Sequence, residues 1–284
     1  MLVDRRRFVQ VAALALLAMA SAVSRPESAR AQSTPSADEI IRQMKAALEP
    51  PRPSLRKMDL TFDDRGTITK LQLAQARKRF PDGDRTLTVM LGPEGARGIA
   101  YLTMSPANGP AVEYLYVPVV RRIRKLVPAE NYQSFLDTDF SYADLGMLPL
   151  ETTNELLGTE VIDGRKAYKV QSIPTSVIQT WYYARTVTWI DAETLLPMRR
   201  EFYSPAGEVF KVETFGSVSK VDGVPTPLQI RMQTLASNTS STLDVTAIDY
   251  DVELPDELFD PEKLRFASEH EAFKKPLEKA PGAS

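Results

Sequence analysis

The chain has 284 residues, a formal net charge of −2, no cysteine and a single histidine, His270. The absence of thiols excludes disulfides and cysteine nucleophiles, and one histidine argues against Ser-His-Asp triads and histidine-rich metal sites. A mildly acidic chain is also a poor binder of nucleic acid, because phosphate contacts require a basic surface.

Residues 1–31 are predicted to be a cleaved secretory signal peptide. Residues 5–7 are three arginines, residues 11–20 are apolar, and residues 29–31 form a small-x-small cleavage site. The apolar run is shorter than the ~20 residues that span a bilayer. The arginines fit a twin-arginine signal, which exports folded protein, or an arginine-rich ordinary secretory signal. The segment holds five basic and two acidic side chains, so the mature chain would carry −5. We expect it in the periplasm.

A helix is predicted over residues 36–49. Ser36 and Glu39 have the spacing of a capping box, which satisfies two backbone donors at a helix start. Prolines at 50, 51 and 53 end the pattern. The apolar residues that recur at helical spacing, and that would face a sheet as a lid, are Ile40, Ile41, Met44 and Leu48.

From residue 58 onward, apolar and polar residues alternate with period two, which predicts β-strands joined by short turns. Asp163-Gly164, for example, is a hairpin signal. We predict about ten strands and an irregular, partly helical segment over 128–152. A charged, proline-rich tail, 269–284, is predicted to be disordered. A single antiparallel sheet of this size tends to curl, and the helices would cover its concave face.

Three stretches carry a resemblance to a known family, and the first of them contains three motifs. The motifs of the first are YLYVP at 114–118, RRIRK at 121–125 and FLDTDFSYADL at 135–145, and the other two stretches are WIDAETLLPMRREFY at 189–203 and LPDELFDPEKL at 254–264. These motifs resemble the LolA-like family of outer-membrane lipoprotein-sorting proteins, in the branch often found alongside membrane exporters. The resemblance covers residues 36–268 of a predicted domain at 32–268.

The resemblance implies a mainly β fold: one curled antiparallel sheet, an incomplete β-barrel of the LolA/LolB type, covered by a small helical lid. Members of the family hold lipid acyl chains in the concavity and carry them across the periplasm. The implied partners are a lipid or acylated lipoprotein cargo, an inner-membrane exporter and an outer-membrane acceptor. The resemblance implies no catalytic residue, metal or cofactor, and we expect a monomer that binds no nucleic acid.

Apolar residues of the predicted strands are candidates for the wall of a lipid cavity, although ordinary core packing explains them equally well. They are Met58, Leu60, Phe62, Leu87, Val89, Tyr114, Tyr116, Trp181, Tyr183 and Trp189.

The basic run after the YLYVP strand is a candidate contact for anionic headgroups or an acidic partner. Its residues are Arg121, Arg122, Arg124 and Lys125. The alternative is a solvated strand face, since charges on a sheet edge also prevent aggregation.

Three aspartates, Asp137, Asp139 and Asp144, suit general acid–base catalysis by residue type alone. The alternative is that Asp139 or Ser141 caps a short helix and Tyr142 packs beneath it. A calcium loop is excluded, because Tyr142 occupies the position that requires glycine. The sequence therefore leaves three hypotheses, in decreasing order of support: a periplasmic carrier, a sensor or docking module with the same fold, and a carboxylate-dependent hydrolase.

Overall fold

The computed structural model of the protein describes residues 35–146, 151–177, 182–274 and 277. The predicted signal peptide, 1–31, lies outside the described residues. The first element is helix α1, Ala37–Leu48, and its amphipathic pattern predicted it to within one residue at each end. The Ser36 hydroxyl oxygen accepts a hydrogen bond from the Glu39 amide, at 3.2 Å, and so caps the helix start.

Thirteen strands follow, joined in one antiparallel sheet. They are β1 Ser54–Asp64, β2 Thr67–Phe80, β3 Gly83–Gly92, β4 Ala100–Pro106, β5 Val112–Val117, β6 Arg122–Lys125, β7 Thr152–Ile162, β8 Arg165–Pro174, β9 Arg185–Asp191, β10 Pro197–Tyr203, β11 Val209–Val221, β12 Val224–Thr234 and β13 Thr239–Asp249. The sheet order is β6-β5-β4-β3-β2-β1-β13-β12-β11-β10-β9-β8-β7. The predicted fold class is confirmed, with three strands more than the ten or so expected.

The sheet order makes the chain cross the sheet between β6 and β7. These two strands are consecutive in sequence, yet they form the two opposite edges. The described part of the connection, residues 126–146, is called the crossing segment below. It contains a 3-10 helix, Pro128–Tyr132, and helix α2, Tyr142–Gly146. Its buried apolar residues, such as Phe135 and Phe140, pack in one cluster with residues of β1–β5 and β10–β13.

The face of the sheet that contacts α1 and the crossing segment is called the inner face. Its main cluster includes Leu60, Leu73 and Leu243, all at most 5 % exposed. A second cluster joins Ile40 and Ile41 of α1 to β8 and β9. Strands from both halves of the sheet thus share one core beneath the same segment, which requires the sheet to curl.

The outer face of β2–β5 is also covered, by the C-terminal segment, residues 252–274. This segment contains 3-10 helices Asp256–Phe259 and Pro261–Glu269 and helix α3, Glu271–Lys274. Phe259 and Phe273 are buried in a cluster with outward-facing residues of the sheet. The prediction of a disordered tail from 269 onward is therefore wrong for the described residues up to 274, because Phe273 supplies an apolar anchor that the charged composition obscures.

Within the described part of the chain, no helix combines the length and the apolar character needed to cross a bilayer.

Candidate functional site

A cavity of about 280 Å³ lies between the inner face, α1 and the crossing segment. One side is formed by β3 and β4, and the other by β9–β12. Apolar and aromatic side chains make much of its wall: Met44, Leu48, Tyr182, Tyr183, Phe202, Phe215 and Ile230. The volume is just below the ~300 to 1,000 Å³ typical of small-molecule pockets, so a larger ligand requires α1 or the crossing segment to move.

Tyrosine rings pack against one another in the wall of this cavity. The Tyr182 ring lies 5.1 Å from Tyr132 of the crossing segment and 5.5 Å from Tyr183. The Tyr183 ring in turn meets Phe202 of β10 edge-on at 5.6 Å. Burial raises the pKa of both the Tyr182 and Tyr183 hydroxyls well above the ordinary range. They remain neutral at physiological pH and offer a π-rich surface to an apolar ligand.

One charged group of the cavity wall ties α1 to the sheet. The buried Arg77 guanidinium of β2 lies 3.5 Å from the Glu49 carboxylate and 3.2 Å from that of Asp84. It also donates a hydrogen bond of 2.8 Å to the Pro50 carbonyl, directly after α1. Burial raises the pKa of Glu49 despite the cation beside it. Arg77 therefore closes the C-terminal end of α1 onto the inner face.

A second ion pair, between a half-buried arginine and a buried carboxylate, lies on the opposite wall. Arg200 of β10 donates to Glu213 of β11 at 2.8 Å and to the Thr188 hydroxyl at 3.3 Å. Burial raises the pKa of Glu213 to about 7, and the Arg200 charge offsets only part of this shift. Charged side chains are rarely fully buried without a function or a network of partners. The cavity thus has a polar wall as well as an apolar one, which suits an amphiphilic ligand better than a bare hydrocarbon.

Asp139 anchors the crossing segment to the β12–β13 hairpin. Its buried carboxylate accepts hydrogen bonds from the hydroxyls of Thr234, Thr239 (2.6 Å) and Ser241 (2.8 Å). Its carbonyl oxygen accepts a further bond from the Lys211 ammonium at 2.6 Å. Three of the roughly four acceptor sites of this carboxylate are occupied in this way, and the side chain is buried. Asp139 therefore acts here as an anchor, and not as the helix cap that was one alternative.

The other aspartates of the motif have different environments. Ser141 caps α2: its hydroxyl accepts from the Asp144 amide at 3.2 Å, and Asp144 Oδ2 accepts from the Ser141 amide at 2.7 Å. Asp137 is exposed in a left-handed turn. Tyr142 packs against Phe135 and Tyr101, as the capping alternative expects. No group of three or more potential metal ligands occurs among the described residues.

The structure separates the predicted cavity residues into two faces. Met58 and Leu60 are buried in the inner core, and Phe62 is half-buried on the same face, but none of these lines the cavity. Tyr183 does line it. Trp181 lies outside the described residues.

The remaining five cavity assignments are corrected, because these residues lie on the outer face: Leu87, Val89, Tyr114, Tyr116 and Trp189. The physical reason is the alternation of a strand. In β3 the inner face is formed by Thr86, Thr88 and Met90, so the apolar neighbours must point outward. There the C-terminal segment covers Leu87 and Val89.

Two of the four predicted lid residues, Met44 and Leu48, line the cavity, while Ile40, Ile41 and Met44 fasten α1 to the sheet. Residues that sequence reasoning missed are Arg77, Arg200 and Glu213. A charged residue within an otherwise alternating strand was the available signal, but only the register brings Arg200 opposite Glu213.

The four residues of the basic run are exposed on the edge strand β6 and the turn before it. Arg124 pairs with Glu130 of the crossing segment. Arg122 and Arg124 share the inner face, opposite Val117 and Leu115. Their role as a partner or headgroup contact stays a prediction.

A family model described as "uncharacterized protein-like" matches residues 82–266, more than half of the chain. No curated protein matches the chain. Among solved structures, the chain is similar to a domain from Vibrio parahaemolyticus that is designated an outer membrane lipoprotein-sorting protein. The two are 22 % identical, with a TM-score of 0.73, over 80 % of this chain and 97 % of that one.

Two further structures share the fold. A DUF1329 family protein from Desulfovibrio piger is 24 % identical, with a TM-score of 0.72, over 80 % of this chain and 96 % of that one. A LolA superfamily protein from Nitrosomonas europaea is 19 % identical, with a TM-score of 0.65, over 80 % and 98 %. The chain therefore belongs to the family of uncharacterized proteins whose model matches residues 82–266, and its fold is LolA-like.

Proposed function

We propose that the protein is a periplasmic carrier that shelters the acyl chain of a lipid or acylated protein in the cavity between α1, the crossing segment and the inner face. The observation that carries the proposal is the cavity itself, with Leu48, Phe215 and Ile230 on its apolar side and Arg200 and Glu213 on its polar side. The designation of one structural relative as a lipoprotein-sorting domain supports the same cargo class.

The physical need for such a carrier is large. Each methylene moved from an apolar site into water costs ~0.8 kcal/mol, so a chain of about fifteen methylenes costs ~12 kcal/mol. A cavity below a movable cover removes most of that cost during transit. In this proposal a monomer receives cargo from an inner-membrane exporter and delivers it to an outer-membrane acceptor, without a cofactor and without catalysis.

The cover has the construction that exchange of cargo requires. The helix α1 is held to the sheet by one apolar stripe, Ile40, Ile41 and Met44, and by the Arg77 contacts at its end. The crossing segment is held more firmly, by Asp139, by Gln75, whose side chain donates to the Leu145 carbonyl at 2.8 Å, and by the buried core residues Phe135 and Phe140. Because elements with fewer attachments open at lower free energy, we expect α1 to open first.

The test is to purify the protein from the cells that export it, extract it with solvent and identify bound lipid by mass spectrometry. A fluorescent fatty acid should also bind the emptied protein. The variant Ile230→Trp, which adds a ring inside the cavity, should weaken the probe by about tenfold or more, because overpacking excludes ligand volume. The control Val218→Trp, on an exposed residue of β11, should bind like the wild type.

Wild-type protein that holds no lipid and binds no probe would refute the carrier proposal. Recovery of a signalling protein with an empty cavity would instead favour the sensor or docking module.

A further inference from the structure

The turn between β5 and β6 exposes two adjacent valines. Val119 is 88 % exposed and Val120 is 61 % exposed. The turn is nevertheless ordered by backbone hydrogen bonds: the amides of Val120 and Arg121 both donate to the Val117 carbonyl, at 3.1 and 3.0 Å. Residues 118–122, called the basic tip below, therefore project a fixed apolar pair into solvent.

The residues of this tip are unusual for a turn. Other hairpins of the sheet turn through Asp163-Gly164 and Asp222-Gly223, which tolerate the left-handed conformation well. Arg65 takes the same conformation in the β1–β2 hairpin, but a glycine follows it there, whereas in the basic tip Arg121, with φ +51°, follows two β-branched valines and no glycine is present. Local turn chemistry therefore does not account for this sequence, and such violations concentrate at functional sites.

Along the sequence, the charge next to the valines is of one sign, although Glu94 and Glu269 line the same surface pocket as Pro118 of the tip. The stretch 114–129 contains three arginines and one lysine and no acidic residue, in a chain whose net charge is −2. The guanidinium groups of Arg121 and Arg122 make no ion pair with any residue that the structure describes. Arg124, by contrast, is occupied by Glu130. Two cations without an ion-pair partner among the described residues thus directly follow the exposed apolar pair.

Protection of the sheet edge explains only part of this pattern. Charges on β6 do blunt an edge strand against pairing with other chains. However, Val119 and Val120 lie in the turn beyond the last ladder pair, Val117 with Arg122, so they cannot prevent another chain from pairing with the edge strand. Edge protection would also favour polar residues at the turn, whereas here the most exposed positions are apolar.

We propose that the basic tip docks the protein on an anionic membrane surface. The two valines enter the boundary between headgroups and acyl chains, and Arg121 and Arg122 contact lipid phosphates. The pairing of exposed apolar side chains with unpaired cations matches the chemistry of that surface and not that of an acidic protein patch, which would leave the valines in water. This docking does not depend on which cargo the cavity holds.

The test is flotation of the purified, cell-processed protein with vesicles of phosphatidylglycerol and phosphatidylethanolamine, compared with vesicles of phosphatidylcholine alone. The wild type should bind the anionic vesicles. Each cation near an anionic surface changes binding by about fivefold, so Arg121→Gln/Arg122→Gln should lower the partition coefficient by roughly thirtyfold. Val119→Ser/Val120→Ser should lower it at low salt and at high salt alike, because the apolar contribution is not screened.

The β7–β8 hairpin offers a matched control. It also has an exposed valine, Val161 at 73 %, and an exposed lysine, Lys166. The variant Val161→Ser/Lys166→Gln should bind vesicles like the wild type, and any contribution of the shared N-terminus cancels between the variants.

Because the chain has no cysteine, a single label reports on one position. A polarity-sensitive dye on Val119→Cys should shift its emission to the blue on anionic vesicles, and the same dye on Val161→Cys should not. Failure of the wild type to float, equal binding by the tip variants, or capture of an acidic protein through the tip with no vesicle binding would each overturn the proposal. None of these outcomes bears on lipid extraction from the cavity, which tests the carrier proposal separately.

Discussion

The substitution Asp139→Asn tests whether this carboxylate is the anchor of the crossing segment. Its two oxygens accept three hydroxyl hydrogen bonds: Thr234 and Thr239 share Oδ1, and Ser241 donates to Oδ2. An amide has one accepting oxygen, so at least one of these bonds is lost, and the others lose the assistance of the charge.

The magnitude follows from those contacts. A hydrogen bond to a charged acceptor contributes about 1.5 to 3 kcal/mol, and a neutral one about 0.5 to 1.5 kcal/mol. Loss of one bond and weakening of two, offset by the lower cost of burying a neutral group, gives a net destabilisation of about 2 to 3 kcal/mol. For a chain of this length that corresponds to a decrease in Tm of about 5 to 10 °C.

The assay is urea unfolding followed by circular dichroism, with limited proteolysis of the crossing segment as a local readout. Asp137→Asn is the matched control, because Asp137 is exposed two residues away and asparagine tolerates its left-handed backbone. The control should change the free energy of unfolding by less than about 0.5 kcal/mol. Equal effects of the two substitutions would refute the anchor role of Asp139. Loss of a hydrolytic activity in Asp139→Asn, without loss of stability, would instead support the hydrolase hypothesis.

Two further predictions concern the buried charges. Burial raises the folded-state pKa of Glu213 to about 7 from the ordinary 4.5, so its contribution to stability is complete below 4.5 and is lost as the pH rises through 7. Between pH about 5 and about 8, the free energy of unfolding in urea should therefore fall by about 3 kcal/mol more for the wild type than for Glu213→Gln. An identical pH profile of the two proteins would contradict the shift. Arg77→Met leaves Glu49 and Asp84 without their buried cation and should lower the free energy of unfolding by about 3 to 5 kcal/mol in the same assay. Arg79→Met, at an exposed arginine, should lower it by less than about 1 kcal/mol. Similar decreases for the two variants would show that the burial of Arg77 contributes nothing.

Local patterns in the sequence were enough to predict most of the architecture. Ser36, Glu39 and the prolines after Glu49 define α1 through interactions that lie within a few residues. Asp163-Gly164 forms the predicted turn between β7 and β8. The strand count was low partly because β6 has only four residues, too few for alternation to identify a strand.

The lining of the cavity could not be predicted, because period-two alternation separates two faces without saying which of them surrounds a cavity. In β3 the apolar residues Leu87 and Val89 suggested a cavity wall, yet they pack under the C-terminal segment, and polar Thr86 lines the cavity. Only the position of that distant segment decides between the faces. The pairing of Arg200 with Glu213 likewise depends on register, which no single strand contains.

The crossing segment joins the two outermost strands of an open sheet, so it ties together the parts of the molecule that must separate when the sheet flattens. The length of the connection between β6 and β7 limits how far these two strands can move apart. The described part of this connection, residues 126–146, also covers the cavity and carries the Asp139 anchor, so one stretch of chain serves both the sheet edges and the cavity cover.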